Sequence, residues 1–138
     1  MKVKLSFYPL MSINNFRITL CASSLSHDVE ELAIRVSMSP SKTAPAIPSR
    51  DDHRVFWEFE KYHGEQFDEA LARASGWACL HAKALLYIQD INLSLWCELH
   101  SNSEFAGFSL QGAHMEQLGQ SEIELVISVY AERCKENQ

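Results

Sequence analysis

The chain has 138 residues, is 46% hydrophobic and carries a formal net charge of −6, which fits one domain with a real core. The charge argues against a nucleic-acid binder, because neutralising phosphates needs clustered Lys and Arg. No apolar run reaches membrane-spanning length, so no membrane contact is expected.

The first residues, "MKVKLSFYPLMSINNF", carry two lysines and scattered apolar positions, as an export signal does. Pro9, Asn14, Asn15 and Arg17 interrupt the apolar stretch, so no targeting signal is read and a cytoplasmic location is expected. "KVKLSF" alternates and suggests an extra strand stopped by Pro9. Residues 1–13 are set aside as an extension, and Met11 is an alternative start.

Residues 14–23, "NNFRITLCAS", alternate Phe16, Ile18, Leu20 and Ala22 against Arg17, Thr19 and Cys21. That is the period of a half-buried strand. "HDVEELAIRVSM" is a helix, with Asp28 as N-cap and Glu31 as its capping-box partner. Val29, Leu32, Ala33 and Val36 form its apolar stripe. Residues 37–54 are read as a loop.

The loop's hydroxyls, with Lys42 and Arg50, are phosphate-binding types. Phosphate cradles, however, work through exposed backbone amides that glycine lets a ligand approach. This segment has no glycine, and Pro40, Pro45 and Pro48 each remove an amide. It is therefore a stiff connection, and Asp51, Asp52, His53 and Arg54 are a solvated charge cluster.

From Val55 the pattern is a strand, with Val55, Trp57 and Phe59 inward and Phe56, Glu58 and Glu60 outward. A helix follows from "EQFDEALARASGW", ended or bent at Gly76. Its continuation places Trp77, Leu80, His81, Ala84, Leu85, Ile88 and Ile91 on one side. "NLSLWCELHS" is a strand with Leu93, Leu95, Cys97 and Leu99 inward and Ser94, Trp96, Glu98 and His100 outward. A turn at 102–107, a short strand "FSL" and a short helix ending near Gly119 come next. "EIELVISVYA" closes the domain, with Ile123, Leu125, Ile127 and Val129 inward and Glu124, Val126, Ser128 and Tyr130 outward. Residues 132–138 read as a frayed polar tail. The fold class is α+β, a single sheet of about five strands, mostly antiparallel or mixed, with helices on one face.

In order, "HDVEELAIRVSMSPSKT", "VFWEFE" and "FSLQGAHMEQLGQSEIELVISVYA" resemble DUF4279, a bacterial domain family of unknown function. The likeness lies in an acid-capped helix (Asp28) running into a proline-plus-hydroxyl turn (Pro40, Ser41), a tryptophan-bearing strand (Trp57), and a final unit ending in Tyr130. It covers about residues 14–131. It implies the same α+β fold and supplies no catalytic residues. By analogy, small acidic families of this kind include immunity proteins that accompany toxins.

The residues themselves offer little chemistry. None of the six histidines forms H-E-x-x-H or H-x-H. Cys79 and His81 diverge by about 200° around a helix. The cysteines Cys21, Cys79, Cys97 and Cys134 form no C-x-x-C and read as reduced thiols, the interior ones in the core. No catalytic residue, metal or cofactor is therefore assigned.

What stands out is the expected outer face of the sheet. It would carry Phe56, Glu58, Glu60, Trp96, Glu98, His100, Glu124 and Tyr130, and its aromatics are unusual for a solvated surface. Aromatics rimmed by acids describe a protein-binding patch, here for a basic toxin or effector. Two further readings stay open. One is a small hydrolase or ligand-binding domain with a pocket between sheet and helices, using His100, Glu98 or His53. The other is a homodimer covering that face or joining edge strands.

Overall fold

The computed structural model describes residues 13–36, 38–85, 87–101 and 108–131, the side chains of residues 13, 14 and 131 apart. The expected N-terminal strand, Ser37, the turn at 102–107, Cys134 and the polar tail lie outside these residues. The elements are β1 (Ile13–Ser24), α1 (Val29–Ile34), β2 (Lys42–Ala44), β3 (His53–Glu58), α2 (Phe67–Ala82), β4 (Asn92–Ser101), α3 (Gly112–Gln120) and β5 (Ile123–Ala131). The strands form one sheet in the order β2-β3-β1-β4-β5. All neighbours are antiparallel except β4 and β5, which α3 joins as a parallel pair. The fold is therefore the expected α+β sheet. No helix among the described residues is long and apolar enough to cross a membrane.

The alternation works as read in the central strands. Ile18, Leu20, Val55, Trp57, Leu95 and Leu99 are fully buried against Leu32, Ala70, Leu71, Ala74 and Ala78 of the helices. Trp57 lies at the centre, and its indole N–H donates to the Met38 carbonyl at 2.9 Å. That bond ties the exit of α1 to the sheet and satisfies the one polar atom of a buried ring.

Asp28 caps α1, accepting from the Glu31 amide at 2.9 Å. The capping box is only half formed, because the Glu31 carboxylate turns to His27 Nδ1 at 3.0 Å. The complete box belongs to α2, where Gln66 and Glu69 satisfy each other's backbone amides.

Three expectations are corrected. The loop at 37–54 contains β2, held by β3 rather than by any pattern of its own. The Ser41 amide donates to the Phe56 carbonyl at 2.7 Å, and the Ser41 hydroxyl accepts from the Glu58 amide at 2.7 Å. The charges at 50–54 are organised as well, with Asp52 bridging Arg50 and Arg54 at 2.9 Å each. Second, "FSL" is not a strand but docks at the start of α2, with Phe108 edge to face on Phe67 at 5.4 Å and the Ser109 amide and hydroxyl donating to Asp68 at 3.2 and 3.3 Å.

Third, α2 runs through Gly76 without ending. Its buried positions keep one phase, Phe67, Ala70, Leu71, Ala74, Ser75, Ala78, Cys79 and Ala82. Leu80 and Ala84, expected inside, are therefore exposed. A Cβ at Gly76 would meet only the Gln117 side chain, at 3.9 Å. Gly76→Ala should then stabilise the fold by roughly 0.5–1 kcal/mol, because alanine has the better helix propensity and the space is open. Urea denaturation of the two chains checks this; destabilisation would mean the helix needs glycine there.

After β3 the chain turns at Gly64 (φ +78°) into α2. Arg73 holds this turn. Its guanidinium donates to Glu65 at 2.7 and 3.0 Å and to the Glu60 carbonyl at 2.9 Å. It also lies over the rings of Tyr62 and Phe59, 3.7 and 4.3 Å from their centroids. The Arg73 hydrogen bond holds the Glu65 carboxyl below its ordinary value. A depressed acid stabilises above its unfolded pKa, and that contribution disappears as pH falls through the folded one. Melting temperature should thus fall more steeply for the native chain than for Glu65→Gln between about pH 5 and pH 3. Parallel curves would show that the pair contributes nothing to stability.

Candidate functional site

The helices cover one face of the sheet and leave the other open. Register places the outward residues in rows across the strands. Lys42, Phe56, Cys21, Ser94 and Glu124 share one row; Glu58, Thr19, Trp96 and Val126 the next. Arg17, Glu98 and Ser128 follow, then Asn15, His100 and Tyr130. Seven of the eight expected residues are thus on one face. The eighth, Glu60, follows the end of β3 and lines the same cleft as Glu58, Glu98 and His100.

The aromatics are partly covered rather than bare. Phe56 and Trp96 meet edge to face at 6.2 Å. Trp96 donates to the Ser94 hydroxyl at 2.6 Å. Together they cover Cys21, which is buried although it belongs to the open face. Burial pushes the Cys21 thiol up to about 11 and the core thiol of Cys97 up to about 12, so both remain protonated and unreactive near neutrality. At the far end His100 stacks on Tyr130, 5.1 Å apart and 18° from parallel.

Among the described residues four cations share this surface, none of them included in the outer face expected from sequence. Arg17 pairs with Glu58 at 3.2 Å. Both side chains are more than half exposed, so the pair contributes little energy. Lys42 lies 6.0 Å from the Phe56 ring and Arg54 5.9 Å from the Trp96 ring. Lys61 donates to Asn15 and to the Phe16 carbonyl at 2.9 and 2.8 Å. The face is therefore polarised. Its cations come from β1, β2, β3 and the turn after β3, while Glu98 and Glu124 of β4 and β5 make no ion pair among the described residues. Arg17 belonged to a recognised alternation and was legible. Lys42 was not, because its strand was not.

A polar cleft of about 600 Å³ crosses the face, lined by Arg17, Ser41, Glu58, Glu60, Lys61, Glu98 and His100 among others. A second concavity of about 410 Å³ adjoins it through Arg17, Ser41, Glu58 and Glu98 and reaches Phe56 and Trp96. The cleft is thus on the open face. It is not between sheet and helices, where fully buried side chains fill the space. Of the acid–base candidates considered from sequence, Glu98 and His100 line this cleft together and His53 does not. Glu98 and His100 share one end of the sheet, whereas His53 pairs with Ser24 at the other, about 30 Å along β1. His53 is instead occupied locally, accepting from the Ala46 amide at 3.2 Å. Among the described residues no cluster of three or more His, Cys, Asp or Glu side chains is placed to hold a metal.

Fold and site together define an α+β domain with one covered and one open sheet face, the open one bearing Phe56, Trp96, His100 and Tyr130 and electrostatically divided. Compared with known family models, curated proteins and solved structures, the chain matches none.

Proposed function

We propose that this is a non-catalytic protein-binding domain, of the immunity type, that holds a basic toxin or effector on the β4–β5 half of its open sheet face. The observation that carries the reading is the position of carboxylates that make no ion pair among the described residues. Glu98 stands between Trp96 and His100 on β4 and lines the cleft with Glu60, while Glu124 lies beyond Val126, one row past Trp96 and outside the cleft. The cleft also holds Arg17 and Lys61; a basic side chain entering it would meet Glu60 and Glu98, which make no ion pair among the described residues, while its stem packs beside His100. Aromatic anchors ringed by complementary charge are how binding surfaces obtain both affinity and rapid association. The net charge of −6 favours the same sign of partner at long range.

The test is recovery of a partner from the native cell by the tagged chain, compared with Trp96→Ala and Glu98→Lys. A basic protein held by the native chain, released by salt and lost from both variants, is the expected result. A partner retained by both would remove this face from the reading.

A further inference from the structure

The two edges of the sheet are built differently. The β2 edge is three residues long, carries Lys42 and lies in a segment with Pro40, Pro45 and Pro48. Short length, lysine and nearby proline are the devices that stop an edge from pairing with another chain. The β5 edge has none of them. It is nine residues long, "IELVISVYA", without lysine, proline or glycine. Its register with β4 runs unbroken from Ile123 to Ala131, so no bulge turns it away. Among the described residues no strand pairs with its outer side. Val129 and Tyr130, on opposite faces, are 49% and 53% exposed, although Val129 has the inward phase of a core residue.

We infer that β5 pairs antiparallel with β5 of a second copy, across a two-fold axis at Ile127. The strand is self-complementary in that register. Residues directly opposite in an antiparallel pair have their side chains on the same face. On the helix side, Leu125 meets Val129 of the second copy, and Ile127 meets its own equivalent. On the open side, Val126 meets Ser128 and Glu124 meets Tyr130. The only charge on the strand thus faces a tyrosine and lies about 20 Å from its own copy. Axes nearer Glu124 bring the two like charges together, which is unfavourable. Such a contact is isologous and closes after two subunits. It joins the two sheets edge to edge and leaves the open faces free, so it does not depend on the partner reading above.

Sedimentation equilibrium of the full chain across the micromolar range tests this. A concentration-dependent dimer is expected. Val129→Lys and, independently, the exposed-site change Ser128→Lys should each give a monomer that circular dichroism shows to be folded. In a Cys134→Ser background, Ile127→Cys should cross-link to a covalent dimer on mild oxidation, whereas Glu124→Cys should not. A monomer at every concentration overturns the inference, as does a dimer that both lysine variants leave intact or a cross-link at 124 rather than 127. A monomer in which the outward-pointing β5 amides, those not bonded to β4, resist exchange also overturns it, giving the edge to another segment of the same chain.

Discussion

Trp57→Ala is expected to lower the free energy of unfolding by about 4 kcal/mol, enough to unfold a large fraction of a marginally stable domain. Trp57 is fully buried in β3 between β1 and β2 and against the helices. Removing the indole leaves a cavity in the core cluster, which packed strands and helices close only in part. It also leaves the Met38 carbonyl without its donor. Trp57→Phe helps separate the two effects. It keeps a six-membered ring in the site but loses the N–H and the rest of the indole, so its cost should be about 1–3 kcal/mol, smaller than that of alanine. Chemical denaturation of the three chains measures both. Equal losses would assign the whole effect to what both variants remove, and a negligible loss in the alanine variant would contradict the buried position.

Trp96→Ala is expected to weaken partner binding by about 2 kcal/mol or more, roughly thirtyfold, with the domain still folded. The side chain is half-buried on the open face and covers Cys21 rather than the main core. Its removal should therefore cost far less stability than that of Trp57. Glu98→Lys should act differently. It reverses a carboxylate that has no ion partner among the described residues, so association should slow, and the deficit should shrink as salt rises. Glu30→Lys makes the matching control, an exposed position on α1. A similar loss from Glu30→Lys would mean that net charge alone attracts the partner. Full binding by both open-face variants would place the contact elsewhere.

The fold was legible because its signals are local. Period-two alternation in β1, β3 and β4 reports which side of a strand is buried whatever its neighbours are. Residues that would anchor the core, such as Ile18, Trp57 and Leu95, could be named from spacing alone. The same holds for the α1 cap, where Asp28 needs only an amide three residues on. Helical phase was less secure, because Gly76 suggests a break that continuous packing on the sheet overrides. Leu80 was therefore assigned to the wrong side.

By itself the sequence determined the fold class, the core stripes and the identity of the outward residues. Only the tertiary structure decided what those residues amount to together. Strand order set Arg17 between Glu58 of β3 and Glu98 of β4, and its guanidinium pairs with Glu58, leaving Glu98 without an ion pair among the described residues. Pairing with β3, not any pattern in "KTA", made β2 a strand and brought Lys42 beside Phe56. The parallel placement of β5 next to β4 stacked Tyr130 on His100 and left a long apolar edge that no other strand pairs with among the described residues. The reason is one of range. Alternation and capping connect residues a few positions apart, whereas the charge and shape of a sheet face depend on register between strands that are tens of residues apart in the chain.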